Sequence, residues 1–231
     1  MGNTLELKRQ VLMRTTLFGS LAVDDIDHLV TTSKILVLPA NTTLFLKGAP
    51  GDRLYIVIKG VVRISSISED GRETTLNLMS SGQVFGEIAA MDGGERTADA
   101  TTLDAVELLV IERRDLLVFL NNNPQCCIRM LAACSERLRW ISELLEDAYY
   151  LELPTRLAKR LHLLAQTFGQ QSDDGIRISI RLSQKDIANH MNVTRESINK
   201  WLRIWGKKGF VSVEQGHIVI RDLSGLLAFR P

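Results

Sequence analysis

At 231 residues the chain is long enough for one large or two small domains, and with 45% hydrophobic and 24% charged residues it has an ordinary globular composition. It holds no apolar run of transmembrane length and opens on no secretory pattern, so no membrane partner is expected and the cytoplasm is the expected compartment. The net charge of +1 conceals an asymmetry: residues 1–112 carry a net −5, residues 113–153 a net −1 and residues 154–231 a net +7. A polyanion would therefore meet only the last third, although an ordinary solvated basic surface carries the same charge.

In chain order, residues 4–18 and 24–33 read as short helices, the second capped by Asp24 or Asp25 with Ile26, Leu29 and Val30 on its apolar face. From Ile35 to Ile111 the signals are β. Apolar runs at 35–38, 43–46, 54–58, 61–67, 74–79 and 106–111 are punctuated by glycines, and Glu69-Asp70-Gly71 reads as a hairpin turn. Regular short strands of this kind predict a sandwich or jelly roll. A metal-dependent enzyme on such a roll would need histidine ligands, and His28, His162, His190 and His217 all lie outside the β region.

Within that region residues 82–101 combine unusual chemistry. Val84 and Phe85 are followed by Gly86, which breaks the strand, and Glu87-Ile88-Ala89-Ala90-Met91 favours one helical turn that Gly93 and Gly94 stop. The glycine break leaves backbone N–H groups at Ile88 and Ala89 free to cradle an anion. Arg96 adds a planar fork suited to phosphate. The Glu87 carboxylate would repel an anion and suits a hydroxyl donor such as a ribose 2′-OH, and Thr97 offers a further hydroxyl. Together they read as a site for a phosphorylated sugar. The competing reading is a surface turn with an ion pair between Glu87 and Arg96.

Arg113 to about Tyr150 reads as helix, interrupted near residues 121–124. Beyond Pro124, Leu131, Leu138 and Leu145 recur every seven residues, as do Cys127, Cys134, Ile141 and Ala148, which predicts a seam of about three heptads. The alternative is a helix packed on its own domain. In this register Arg137 and Ser142 flank the seam at g and e. The three cysteines, Cys126, Cys127 and Cys134, make neither a disulfide framework nor a zinc spacing, and an iron–sulfur cluster needs about four ligands.

Pro154 suits the first turn of a new helix running to Phe168; 169–175 reads as a polar loop and 176–182 as a strand. Ser183-Gln184-Lys185-Asp186 is a capping-box start for a short helix burying Ile187, Ala188 and Met191. A tight turn over 190–193 leads to Thr194, which caps a helix to about Gly206. Its core face is Ile198, Leu202 and Trp205, and its other face carries Arg195, Glu196, Asn199, Lys200 and Arg203. Residues 210–213 and 217–220 form a hairpin through Gly216. Helix, turn, helix and hairpin describe a winged helix-turn-helix. Arginine at the start of its second helix is able to bond guanine O6 and N7, and glutamate accepts from cytosine N4. A small three-helix packing unit with a solvated polar face is the alternative.

Gly86-Glu87-Ile88-Ala89 followed by Arg96-Thr97-Ala98 resembles the phosphate-binding cassette of cyclic-nucleotide-binding domains. With Lys59-Gly60, Asn123-Pro124 and Thr194-Arg195-Glu196-Ser197, the chain from about residue 17 to 222 resembles the cyclic-AMP-receptor branch of the CRP/FNR transcription regulators. The resemblance implies an α+β fold: a cyclic-nucleotide-binding β jelly roll over 1–124, a dimerisation helix over 125–150 and a winged helix-turn-helix over 154–231. It implies an allosteric regulator rather than an enzyme, a homodimer on palindromic double-stranded DNA, with RNA polymerase as a further partner and no metal. The expected ligand set is Ile64, Leu76, Gly86, Glu87, Ile88, Ala89, Arg96, Thr97, Arg137 and Ser142. The expected DNA set is Ser183, Gln184, Lys185, Thr194, Arg195, Glu196, Asn199 and Lys200. Lys200 stands where the family usually has arginine. Ile141 replaces a hydroxyl residue of the cyclic-AMP receptor, and Thr97 is similar to cyclic-GMP-preferring domains. Cyclic AMP is the first expectation for the effector and cyclic GMP the second; a ligand-independent regulator of the same fold is the third reading.

Overall fold

A computed structural model describes the chain except Met1, Thr16, residues 20–22, Asp70 and Pro231, and only the backbone of residues 2–3 and 23–25. The Asp24 or Asp25 cap and the centre of the Glu69-Asp70-Gly71 turn lie outside the described residues. The chain divides into two compact units, the first comprising residues 1–68 and 75–138, the second residues 69–74 and 139–231.

The first unit begins with helices α1 (Gly2–Arg14) and α2 (Val23–Thr32). Eight strands follow: β1 (Lys34–Leu38), β2 (Thr43–Phe45), β3 (Arg53–Lys59), β4 (Val62–Ile67), β5 (Glu73–Met79), β6 (Val84–Phe85), β7 (Asp99–Thr102) and β8 (Val106–Glu112). Between β6 and β7 lies the short helix α3 (Glu87–Asp92), and after β8 come α4 (Arg113–Asn122) and the long α5 (Pro124–Tyr150). The strands form two four-stranded sheets, β1-β8-β3-β6 and β2-β7-β4-β5, the jelly-roll architecture expected.

Strand alternation makes the first sheet serve two cores. In β3, Leu54 and Ile56 join α1, α2, α4 and the start of α5 through Leu12, Phe18, Leu29 and Phe119. Tyr55 and Val57 point the other way, meeting Val62, Ala100 and Phe85 between the sheets. In β8, Leu109 and Ile111 face the helices while Leu108 and Val110 face the second sheet. Buried on both faces, these strands read as continuous apolar runs.

Strand β7 escaped the sequence reading because Asp-Ala-Thr-Thr carries no apolar alternation. Its buried polar groups are satisfied instead: Asp99 accepts from the Lys47 N–H at 2.7 Å, and the Thr102 hydroxyl donates to Pro39 O at 2.7 Å while accepting from the Thr42 N–H at 2.8 Å. The first helix ends at Arg14 rather than 18, where the Thr15 hydroxyl turns back to Leu12 O.

The second unit contains α6 (Leu153–Phe168), β9 (Gly169–Ser172), β10 (Gly175–Ile178), α7 (Gln184–Met191), α8 (Arg195–Lys207), β11 (Val211–Glu214), β12 (His217–Ile220) and α9 (Leu223–Ala228), with sheet order β11-β12-β10-β9. Residues 169–172, expected as loop, pair with β10 as an edge strand; all four are exposed, so no alternating apolar pattern marks them. The strand expected to reach 182 stops at Ile178, the residue it buries deepest. Helix α9, capped by the Asp222 carboxylate accepting from the Gly225 N–H, was not foreseen.

Candidate functional site

Two constellations in the structure carry chemistry, one in each unit. In the first, Phe45, Ile64, Gly86, Glu87, Ile88, Ala89, Arg96, Thr97, Ala98 and Arg137 line an open cavity. Gly86 takes φ +75°, and a Cβ there would stand 2.7 Å from Arg96 Nη1, so both the turn and the close approach require glycine. The amides of Glu87, Ile88 and Ala89 precede the first intrahelical bond of α3, from the Ala90 N–H to Gly86 O at 3.3 Å, and are therefore available to an acceptor in the cavity.

Arg96 is 4% exposed. Its Nη1 donates to Gly86 O at 2.9 Å and its guanidinium carbon stands 4.2 Å from the centre of the Phe45 ring. Among the described residues its buried Nε–H has no acceptor. Burial lowers its pKa from the usual arginine value, with Tyr55 and Asp52 opposing the shift. Glu87 is paired with Arg137 of α5, which replaces the Glu87–Arg96 surface pair weighed from the sequence. The cavity thus presents a desolvated cation and free amides beside a carboxylate, the donors for an anion and an acceptor for a hydroxyl.

Of the expected ligand set, eight residues line this cavity. Leu76 does not: it lies on the edge strand β5, 42% exposed, and is absent from the lining. Ser142 falls in the second unit and Arg137 in the first. Phe45 and Ala98 line the cavity without having been singled out as ligand residues. Ala98 follows Thr97 directly, and Phe45 ends a run that reads only as a short apolar strand.

In the second unit Ser183 caps α7 in a full capping box, with aspartate in the usual glutamate place: Asp186 N–H donates to Ser183 Oγ at 3.1 Å and Ser183 N–H to Asp186 Oδ2 at 2.8 Å. Asn192, left-handed at φ 51°, closes the turn, and Thr194 caps α8 by accepting from the Ser197 N–H at 3.2 Å. Ile198, Leu202 and Trp205 are buried, which turns Arg195, Glu196 and Lys200 outward with Asn199 half-buried beside them. Gln184 and Lys185 open α7. Strands β11 and β12 are joined by Gln215 and Gly216, both left-handed, the two-residue turn that suits a hairpin. Behind the turn, the Arg160 Nη2 lies 3.3 Å from His190 Nδ1. Burial, reinforced by that guanidinium, pushes His190 down to about 3, so the neutral ring accepts; burial lowers Arg160 to about 10.

An anion-binding roll and a winged helix-turn-helix on one chain define a ligand-binding transcription regulator. The family model of the cyclic nucleotide-binding domain matches residues 35–123, and that of the Crp-like helix-turn-helix domain matches residues 155–229. The chain is 33% identical over 213 residues to the CRP-like cAMP-activated global transcriptional regulator of Mycobacterium tuberculosis, covering 92% of this chain and 95% of that one. It is 30% identical over 182 residues to the global nitrogen regulator of a Nostoc species, covering 78% and 82%. The solved global regulator CLP of Xanthomonas campestris, described as c-di-GMP responsive, superposes with a TM-score of 0.75 at 22% identity, covering 86% of this chain and 99% of that one, a likeness of fold. The chain belongs to the CRP/FNR family of transcription regulators, whose members are regulators and not enzymes.

Proposed function

We propose that the cavity of the first unit binds a cyclic nucleotide, cyclic AMP before cyclic GMP, and that the bound form is a homodimer that recognises a palindromic DNA site. The observation that carries this reading is the buried Arg96 guanidinium, with an unmatched Nε–H, beside the free amides of α3 and within the same cavity as a carboxylate. Arg96 and the amides of Ile88 and Ala89 take the cyclic phosphate, Glu87 takes the ribose hydroxyl, and Ile64 packs on the base. The name of the mycobacterial relative supports cyclic AMP, and Thr97 in the lining favours cyclic GMP as the second reading. Likeness to a nitrogen regulator supports a third, an effector of another class.

The heptad positions Leu131, Leu138 and Leu145 are exposed along α5, Leu138 at 66%, which supports the dimer seam. We assign residues 1–124 to effector binding, 125–150 to dimerisation and 154–231 to DNA. Arg195, Glu196 and Lys200 read bases, while Ser183, Gln184, Lys185, Thr194 and Asn199 position the backbone. RNA polymerase is the further partner. No helix among the described residues is long and apolar enough to cross a membrane, and we place the regulator in the cytoplasm.

The test is a fluorescence-anisotropy titration of DNA with and without saturating nucleotide. A ligand moves an equilibrium only by its differential affinity for two states, and nucleotide is expected to tighten specific DNA binding by about 1–3 kcal/mol. By linkage, specific DNA tightens nucleotide binding by the same factor. Identical DNA affinity in both conditions removes the switch.

A second expectation concerns readout. Arg195→Ala should cost about 1–3 kcal/mol at the preferred site and flatten discrimination at one base-pair position per half-site. Binding measured across a set of single-base variants decides it: an equal loss on every sequence makes Arg195 a phosphate contact only.

A further inference from the structure

The cassette arginine has a neighbour whose role lies outside its direct ligands. Main-chain hydrogen bonds tie Arg96 to the segment after β2: the Gly48 N–H donates to Arg96 O and the Arg96 N–H to Ala49 O, both at 2.8 Å. This double tie brings the arginine side chain back over the end of β2, where Phe45 stands. The guanidinium carbon is 4.2 Å from that ring's centre and 5.7 Å from the centre of the Tyr55 ring. Phe45 is itself fixed by an aromatic cluster, 5.8 Å from Tyr55 and 6.2 Å from Phe85, with Tyr55 and Phe85 stacked at 5.1 Å. On the other side Gly86 O accepts from Nη1. A long side chain with several rotatable bonds is thereby confined before any ligand arrives, and a nearly buried cation is faced by an aromatic quadrupole.

We propose that Phe45 is a positioning residue for nucleotide binding: its ring, opposite the Gly86 carbonyl, sets the Arg96 guanidinium where the cyclic phosphate must meet it. Phe45 does not itself bond the phosphate. Its contribution is to remove the ordering that Arg96 would otherwise undergo on binding, and to offset the desolvation of its cation before ligand binds. The inference rests on the cyclic-nucleotide reading of the cavity.

The experiment compares Phe45→Leu and Phe45→Tyr with the parent as full chains, by calorimetric titration with cyclic AMP and cyclic GMP. Phe45→Leu keeps an apolar side chain and loses the ring, and is expected to weaken binding about 2- to 30-fold; Phe45→Tyr restores it to within about twofold of the parent. Phe85→Leu loosens the cluster that fixes Phe45 but keeps the ring against Arg96, and is expected to lower the thermal midpoint while weakening binding less than Phe45→Leu does. A second readout needs no nucleotide. The Arg96 Nε–H resonance, assigned through its loss in Arg96→Lys, should carry a ring-current shift in the parent that is reduced in Phe45→Leu, where only the more distant Tyr55 ring remains. Equal affinities for parent and Phe45→Leu, or equal loss in Phe85→Leu, overturn the proposal. If the parent binds neither nucleotide, the cyclic-nucleotide reading fails on its own, and an Arg96 resonance identical in parent and Phe45→Leu then overturns the clamp.

Discussion

Arg96→Ala is expected to weaken nucleotide binding by more than tenfold. Arg96 is 4% exposed, and burial lowers its pKa, so its cation is partly desolvated and gains from an anionic partner. Removing one partner of such a buried charge pair costs about 2–5 kcal/mol, much of it because the phosphate is left without a counter-charge. At about 1.4 kcal/mol per factor of ten, the lower bound alone exceeds tenfold. Arg96→Lys keeps the charge but not the planar fork that bonds two oxygens together, and is expected to fall between parent and alanine. Calorimetric titration of the three proteins provides the ranking. An alanine variant that binds as tightly as the parent would take the cassette out of the mechanism.

Trp205→Ala is expected to have the largest effect on stability, about 3–5 kcal/mol in the DNA-binding unit. Trp205 is fully buried, and its ring lies 6.3 Å from both Trp201 and Phe229, the latter edge-to-face. It holds the recognition helix α8 to the segment just after α9, so truncation opens a cavity behind the face that carries Arg195. Its buried Nε1–H has no acceptor among the described residues, and the indole serves here as apolar volume. Trp205→Phe removes that unmatched donor along with part of the ring, and should cost less than alanine. Denaturant unfolding followed on the transition of the second unit gives both values; a loss under about 1 kcal/mol for alanine contradicts the packing described.

The fold was legible where a physical signal repeated along the chain. Strands β3 and β8 bury both faces and so read as apolar runs. The capping box at Ser183 and the Thr194 cap announce their helices through side chains that answer orphan amides. Gly86, Glu87 and Arg96 were legible because the proposed phosphate site needs those residue types close together in the chain. What the sequence hid depends on distant neighbours. Asp99 and Thr102 belong in a strand only because the turns before and after β2 offer them partners. Phe45 lies more than fifty positions before Arg96 in the chain, and only the fold sets its ring against that guanidinium. The pairing of Glu87 with Arg137 likewise joins α3 to α5, where chain spacing suggested the nearer Arg96 as an alternative.

The tie between Arg96 and residues 48–49 bears on how this regulator is able to change over evolutionary time. Both bonds run from main chain to main chain, so they persist whatever side chains occupy those positions, provided the donors and the turn are kept. Pro50, which lacks an N–H, lies just beyond them and pairs as an isolated bridge with Glu95. Lys47 is tethered through its own amide to Asp99, again without engaging its side chain. A lineage is therefore free to substitute the side chains at 46, 47 and 49, and with them the charge and bulk beside the cassette, while the arginine stays in register. Sequence drift along this segment can proceed by ordinary point mutation without loosening the main-chain hold on the proposed phosphate anchor.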